Sequence, residues 1–147
     1  MSDNDAFNLD GRWTASALGL LRIVSALLFL EHGTSKIFYF PATSASGPSM
    51  WSLFWIAGCI ELIGSLMLLV GVFTRPVAIL LAGEMAIGYW AIHAPRSVYP
   101  VLNLGESAIL FCFIFLLFAA TGPGKWSIDG MLRQRRPDSD GYFAPRI

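Results

Sequence analysis

The chain has 147 residues, of which 55% are hydrophobic and only 14% are charged, with a formal net charge of zero. A soluble domain carries roughly 25% charged residues, so the composition argues against an ordinary water-soluble fold, and the neutral balance gives no reason to expect a nucleic-acid partner. The cysteines, Cys59 and Cys112, both lie in apolar runs, which excludes a secreted disulfide framework.

The chain opens with MSDNDAFNLDGRW, which is acidic and polar rather than a basic patch followed by an apolar stretch. No cleaved signal peptide is expected from it. A membrane span needs about 20 mostly apolar residues, and four segments qualify. The first is Ala17–Tyr39, ended by PATSASGPS. The second, Ser52–Phe73, is separated from the third, Val77–His93, by a Thr-Arg-Pro turn. After APRSVYPVLN comes the fourth, Leu104–Thr121, which Gly122-Pro123-Gly124 terminates because Pro cannot continue a helix. Beyond it, Ile128, Met131 and Leu132 have the spacing of a short amphipathic helix on the inner leaflet, and disorder is expected after Arg136.

Short connections force antiparallel neighbours, so the expected fold is all-α, an integral membrane up-down-up-down four-helix bundle. Residues 1–16 form an N-terminal segment, 17–121 the transmembrane domain and 122–147 a C-terminal tail. Arg12, Arg75, Lys125, Arg133, Arg135 and Arg136 fall on one side, against Lys36 and Arg96 on the other. The positive-inside rule therefore puts both termini in the cytoplasm. Trp13 and Trp126 then mark the inner interface, and Trp51, Trp55 and Trp90 the outer.

The acids divide sharply. All six Asp lie outside the spans, and all four Glu lie within them, one per helix: Glu31, Glu61, Glu84 and Glu106. Arg22, His32, Lys36 and His93 join them. A charge at the bilayer centre costs about 2.5–3.5 kcal/mol even on the lenient insertion scale, so these groups are expected to point inward and to mark a site. In this topology Glu31, His32, Lys36, Glu61, His93, Asn103 and Glu106 reach one level in the outer half, and Arg22 and Glu84 lie deeper. On helix one, Arg22, Ser25, Phe29, His32, Gly33 and Lys36 share an arc of about 120°. Glu61 shares its face with Ala57, Gly58, Gly64 and Ser65, the small residues of close membrane packing. His93 aligns with Ala78, Ala82 and Ala86. Glu31 lies opposite Arg22 and Glu84 opposite His93, which leaves both either meeting a neighbouring helix from the flank or facing another subunit.

Structural readings compete with these. Asn103 and Glu106 have the spacing of a capping box. Lys36 has the length to snorkel to the surface. Arg22 and Glu84 are candidates for an ion pair, and Arg75 for an orientation signal. The cysteines read as ordinary buried residues, since neither shares a polar face. No phosphate loop, dinucleotide fingerprint or Cys-x-x-Cys is present.

Several runs bear a resemblance to a known family. RIVSALLFLEHGTSKIF, with its Arg22, then His32-Gly33, then Lys36, resembles the first helix of the DoxX family. ELIGSLMLLVGVFTRP resembles that family's second helix and turn. GEMAIGYWAIHAPRSVYPVLNLGESAILF resembles its third and fourth helices, and GPGKWSID its closing segment. The resemblance implies a small four-helix protein of a bacterial inner membrane. Some members are subunits of membrane oxidoreductases, of which one kind passes electrons from thiosulfate to quinone. It singles out Arg22, His32, Gly33, Lys36, Glu61, Arg75, Pro76, Glu84, His93, Pro100, Asn103, Gly105 and Glu106.

The leading expectation is thus a membrane subunit of a quinone-linked redox system, embedded in lipid beside other membrane or redox subunits, or as a homo-oligomer. His32, Glu61 and His93 are the expected catalytic groups, moving protons for a small polar or quinone ligand. Arg22, Lys36, Glu84, Asn103 and Glu106 are the expected ligand-binding set. No metal ligands are assigned, the cofactor is open with quinone as the candidate, and electrons must come from a partner or a bound metal. The alternatives are a non-catalytic scaffold subunit, a metal-binding membrane protein, and a small carrier or channel.

Overall fold

The computed structural model describes residues 11–44 and 46–134. Helix α1 spans Gly11–Phe38, α2 Leu53–Val70 and α3 Thr74–Gly88, which runs on through a π-helical turn, Tyr89–His93. A single turn, α4 (Pro100–Asn103), leads into α5 (Glu106–Thr121) and then α6 (Ile128–Gln134). Among the described residues there is no strand. Helix α1, α2 and α3 with its π turn are each long and apolar enough to cross a membrane, whereas α5 is apolar but shorter, at 16 residues.

Local chemistry explains the boundaries. The Ser52 side chain accepts the Trp55 N–H at 3.2 Å and caps α2. At its other end Gly71 is left-handed, with φ 68°, and directs its N–H back to Leu68 O at 3.0 Å. Pro76 sits in the first turn of α3, where its missing N–H costs nothing. Helix α3 accordingly starts at Thr74, three residues before the apolar run suggested. Helix α1 begins at Gly11 rather than Ala17, because no Pro or turn residue interrupts the polar stretch ahead of the apolar one. Between α4 and α5 the chain kinks at Leu104, with φ 58°, so the fourth apolar helix opens at Glu106.

Helices α1 and α2 pack backbone against backbone. A Cβ on Gly33 would lie 2.6 Å from Leu62 N, and one on Gly58 2.8 Å from Lys36 Cβ. Close approach of this kind supplies the dispersion energy that lipid, as apolar as any side chain, cannot provide through burial. Gly64 likewise receives Leu81 of α3, and α3 packs along α5. Phe29 closes the core, its ring 5.0 Å from Phe111 and 4.9 Å from Phe115. Outward faces carry exposed Leu27, Leu28, Ile63, Leu80, Phe113 and Leu117. Such a surface suits lipid and not water.

Helix α6 forms where the tail's spacing suggested one, with Met131 and Leu132 exposed. The disorder expected after Arg136 lies outside the described residues.

Candidate functional site

Two polar centres occupy opposite ends of the α1–α2 pair. At one end Arg22 is completely buried and donates only to main-chain carbonyls: Nε to Pro123 O at 2.9 Å, Nη1 to Leu69 O at 2.7 Å and to Leu68 O. Its Nη2 reaches Trp126 O at 2.8 Å and Lys125 O at 3.3 Å. The last carbonyls of a helix have no intrahelical partner, and here the guanidinium satisfies those of α2 together with the Pro123–Trp126 loop. Asp129 completes the knot by accepting the N–H groups of Phe73 at 3.0 Å and Thr74 at 2.8 Å, capping α3.

At the other end, Lys36 Nζ donates to Glu61 Oε1 at 2.5 Å. Glu61 is only 2% exposed. It lies on the small-residue face with Gly58, Gly64 and Ser65, as its position on the wheel indicates. Glu84 reaches this pair from α3, within electrostatic range of both Glu61 and Lys36. Its flank position is therefore turned toward α2. Among the described residues, Glu61 Oε2 and both carboxylate oxygens of Glu84 are buried without a hydrogen-bond partner. One carboxyl thus holds the ammonium directly, and a second lies within its electrostatic range. Beside them a pocket of about 140 Å³ is lined by Glu31, His32, Ser35, Lys36, Pro41 and Thr43. Lys36 belongs to both the pocket wall and the buried pair.

The remaining residues do not join this group. His93 Nδ1 lies 2.9 Å from Asn103 O, and its ring stacks on Tyr89 at 6.4 Å. The π turn is the reason, because an i→i+5 turn shifts the phase that an ideal wheel assumes; Ala94 N donates to Tyr89 O at 2.9 Å. Asn103 is buried, giving Nδ2 to Ser97 O at 2.8 Å and taking the Gly105 N–H at 2.7 Å. The capping box is not formed, since the Asn103 N–H goes to Tyr99 O and Glu106 is exposed. Glu31 and His32 are exposed as well, not turned inward. Both stand within two turns of the end of α1, and His32 rests edge-on against Phe111 at 6.0 Å. Nor do Arg22 and Glu84 pair. Arg22 stands 14 residues before Lys36, about 21 Å along the helix, so it cannot share a ligand with it.

The DoxX family model matches residues 17–94, just over half of the chain. The chain belongs to the DoxX family. A Haemophilus influenzae protein described as uncharacterized is 38% identical over 117 residues, covering 76% of this chain and 87% of the relative. The inner membrane protein YphA of Escherichia coli is 30% identical, over 75% of this chain and 86% of its own length. An uncharacterized membrane protein of Mycobacterium tuberculosis is 27% identical, over 78% of this chain and 80% of its own. Two of these names place the relatives in a membrane, and none states a reaction. No solved structure matches. With three membrane-length apolar helices, this DoxX protein is a membrane protein.

Several residues that build the candidate site and the Arg22 end carried no signal in the sequence. Ser35 Oγ lies 3.0 Å from Thr43 Oγ1 and 3.0 Å from Ser46 Oγ, which folds the loop after α1 back to make the pocket wall. PATSASGPS reads only as a break, because a polar loop docking on a helix leaves no periodicity. Asp129 is a second case. It caps a helix 55 residues earlier in the chain, and sequence spacing does not report such a bond. Among the described residues no three His, Cys, Asp or Glu side chains gather as a metal site, and Cys59 and Cys112 are both free.

Proposed function

We propose that the chain crosses a bacterial inner membrane four times with both termini in the cytoplasm, and acts as the membrane subunit of a quinone-linked redox system. The Lys36–Glu61–Glu84 group carries this reading. One ammonium balances one carboxylate, and the second carboxyl is left to a proton or to a ligand that donates to it. Keeping such a group in the membrane interior is costly, which argues for a use beyond packing.

Quinone reduction consumes protons as well as electrons. A carboxyl at Glu84 or Glu61 supplies a proton to a ligand oxygen, and Lys36 stabilises the negative charge that develops there. His32, on the pocket wall, stands where it can pass a proton to the site. Arg22 holds the α2 terminus, and His93 with Asn103 fixes the α3–α5 junction; neither pair touches the ligand. Electrons come from a partner subunit, since the sequence has no nucleotide or dithiol motif.

The test uses ubiquinone-1 with the full-length protein in native membranes. Wild-type protein binds the quinone, and Glu84→Gln and Glu61→Gln abolish quinone-dependent turnover while inserting normally. His32→Ala slows it. Full binding and turnover in all three variants overturns the redox role and leaves a scaffold subunit, whose polar substitutions affect assembly alone. Orientation is read separately: a C-terminal fluorescent-protein fusion glows and a C-terminal alkaline phosphatase fusion stays inactive.

A further inference from the structure

A second cavity lies at the Arg22 end, far from the Lys36–Glu61–Glu84 group. It has a volume of about 880 Å³ and is walled by the start of α1, the α2–α3 turn, the end of α5 and helix α6. Three exposed cations line it: Arg75, Lys125 and Arg133. None makes a side-chain hydrogen bond or ion pair among the described residues. Among the described residues the one carboxylate in the wall, Asp129, is already engaged by the N–H groups of Phe73 and Thr74. Thr74 adds an independent sign of a ligand. It is 0% exposed, it lines the cavity, and its Oγ1 has no hydrogen-bond partner. A buried hydroxyl without a partner is rare, because leaving it so costs on the order of a full desolvation penalty.

Three cations and a free hydroxyl around one space recognise a phosphate group, which is anionic and rich in acceptor oxygens. The rim narrows the choice further. Phe73, Trp126 and Met131, all more than half exposed, border the same cavity. A soluble phosphate gains nothing from them, whereas a molecule with a phosphate head and acyl chains satisfies both parts at once. We propose that this cavity is a binding site for the headgroup of an anionic phospholipid, held by Arg75, Lys125 and Arg133 with Thr74 Oγ1 donating to a phosphate oxygen. The site requires only that this end of the bundle meets a lipid headgroup layer, and it stands whichever way the termini face and whatever the other site does.

The full chain in a zwitterionic detergent is titrated with dioleoyl phosphatidylglycerol, dioleoyl phosphatidylcholine and inorganic phosphate, and bound lipid is counted by native mass spectrometry. Phosphatidylglycerol is expected to bind at least tenfold more tightly than phosphatidylcholine. The triple variant R75Q/K125Q/R133Q is expected to lose affinity by on the order of 100-fold, at about fivefold per cation. Because these side chains are exposed and hold no bond of the fold, the variant keeps its helices, which circular dichroism checks. Thr74→Val weakens binding without altering charge, and Arg96→Gln, a cation at the opposite end, leaves it unchanged. Equal binding of the two lipids, or undiminished binding by the triple variant, overturns the proposal. Displacement of the lipid by millimolar inorganic phosphate assigns the cavity to a soluble anion instead. Binding that emerges only after residues 2–10 are deleted assigns it to the acidic start of this chain, and likewise overturns the lipid.

Discussion

Arg22 and Lys36 stand on the same helix, and their surroundings are opposite in kind. Around Arg22 the acceptors are all main-chain carbonyls, and one guanidinium ties α2 to the Pro123–Trp126 loop, while Asp129 separately ties α6 to the start of α3. Around Lys36 one bond is made, to Glu61, and three carboxylate oxygens nearby have no donor among the described residues. An ion buried against lipid persists either because it closes the backbone or because something else completes it. Counting satisfied partners separates the two cases more reliably than burial does, since Arg22 and Glu61 are almost equally buried.

Substitutions at the two ends should diverge accordingly. Arg22→Leu leaves the carbonyls of Leu69, Pro123 and Trp126 without that donor at once and Leu68 O with only the Gly71 N–H, each charge-assisted bond contributing about 1.5–3 kcal/mol. We expect a loss of at least ~3 kcal/mol, seen in thermal unfolding in detergent as failure to give a cooperative transition. Gly33→Val drives a side chain into the Leu62 backbone and should cost about 1–3 kcal/mol in the same assay. Asp129→Ala removes the cap of α3 and should cost about 1 kcal/mol, with hydrogen exchange rising at Phe73 and Thr74. Glu84→Gln is the smallest effect. It replaces an acid lacking donors by a neutral isostere, so stability should stay within ~0.5 kcal/mol or rise. A loss there comparable to that of Arg22→Leu erases the distinction between the two ends.

The three membrane-length apolar helices, the turn at Thr-Arg-Pro, the end at Gly122 and the inward face of Glu61 were legible in the sequence. Each rests on a local signal: apolar length, a helix breaker, or small residues at helical spacing. The convergence of the outer-half groups, His32, Lys36, Glu61, His93, Asn103 and Glu106, on one level was not matched by one shared cluster. Ideal wheels assume an unbroken α-helix, and the π turn at Tyr89–His93 and the kink at Leu104 rotate His93 and Asn103 into a junction of their own. Depth arguments also treat a helix end like its middle, whereas Glu31, His32 and Glu106 stand near helix ends and remain exposed. The roles of Asp129 and Ser35 depend on contacts between distant segments, which only folding reveals.

The separation of a structural end from a ligand end is tested most directly by one comparison on Glu84→Gln protein: its unfolding midpoint with and without saturating ubiquinone-1, beside wild type. The predicted result is an unliganded midpoint at or above that of wild type, with the quinone-induced rise abolished. An unliganded midpoint well below wild type, with the quinone-induced rise intact, would show that Glu84 serves the fold and that the ligand lies elsewhere.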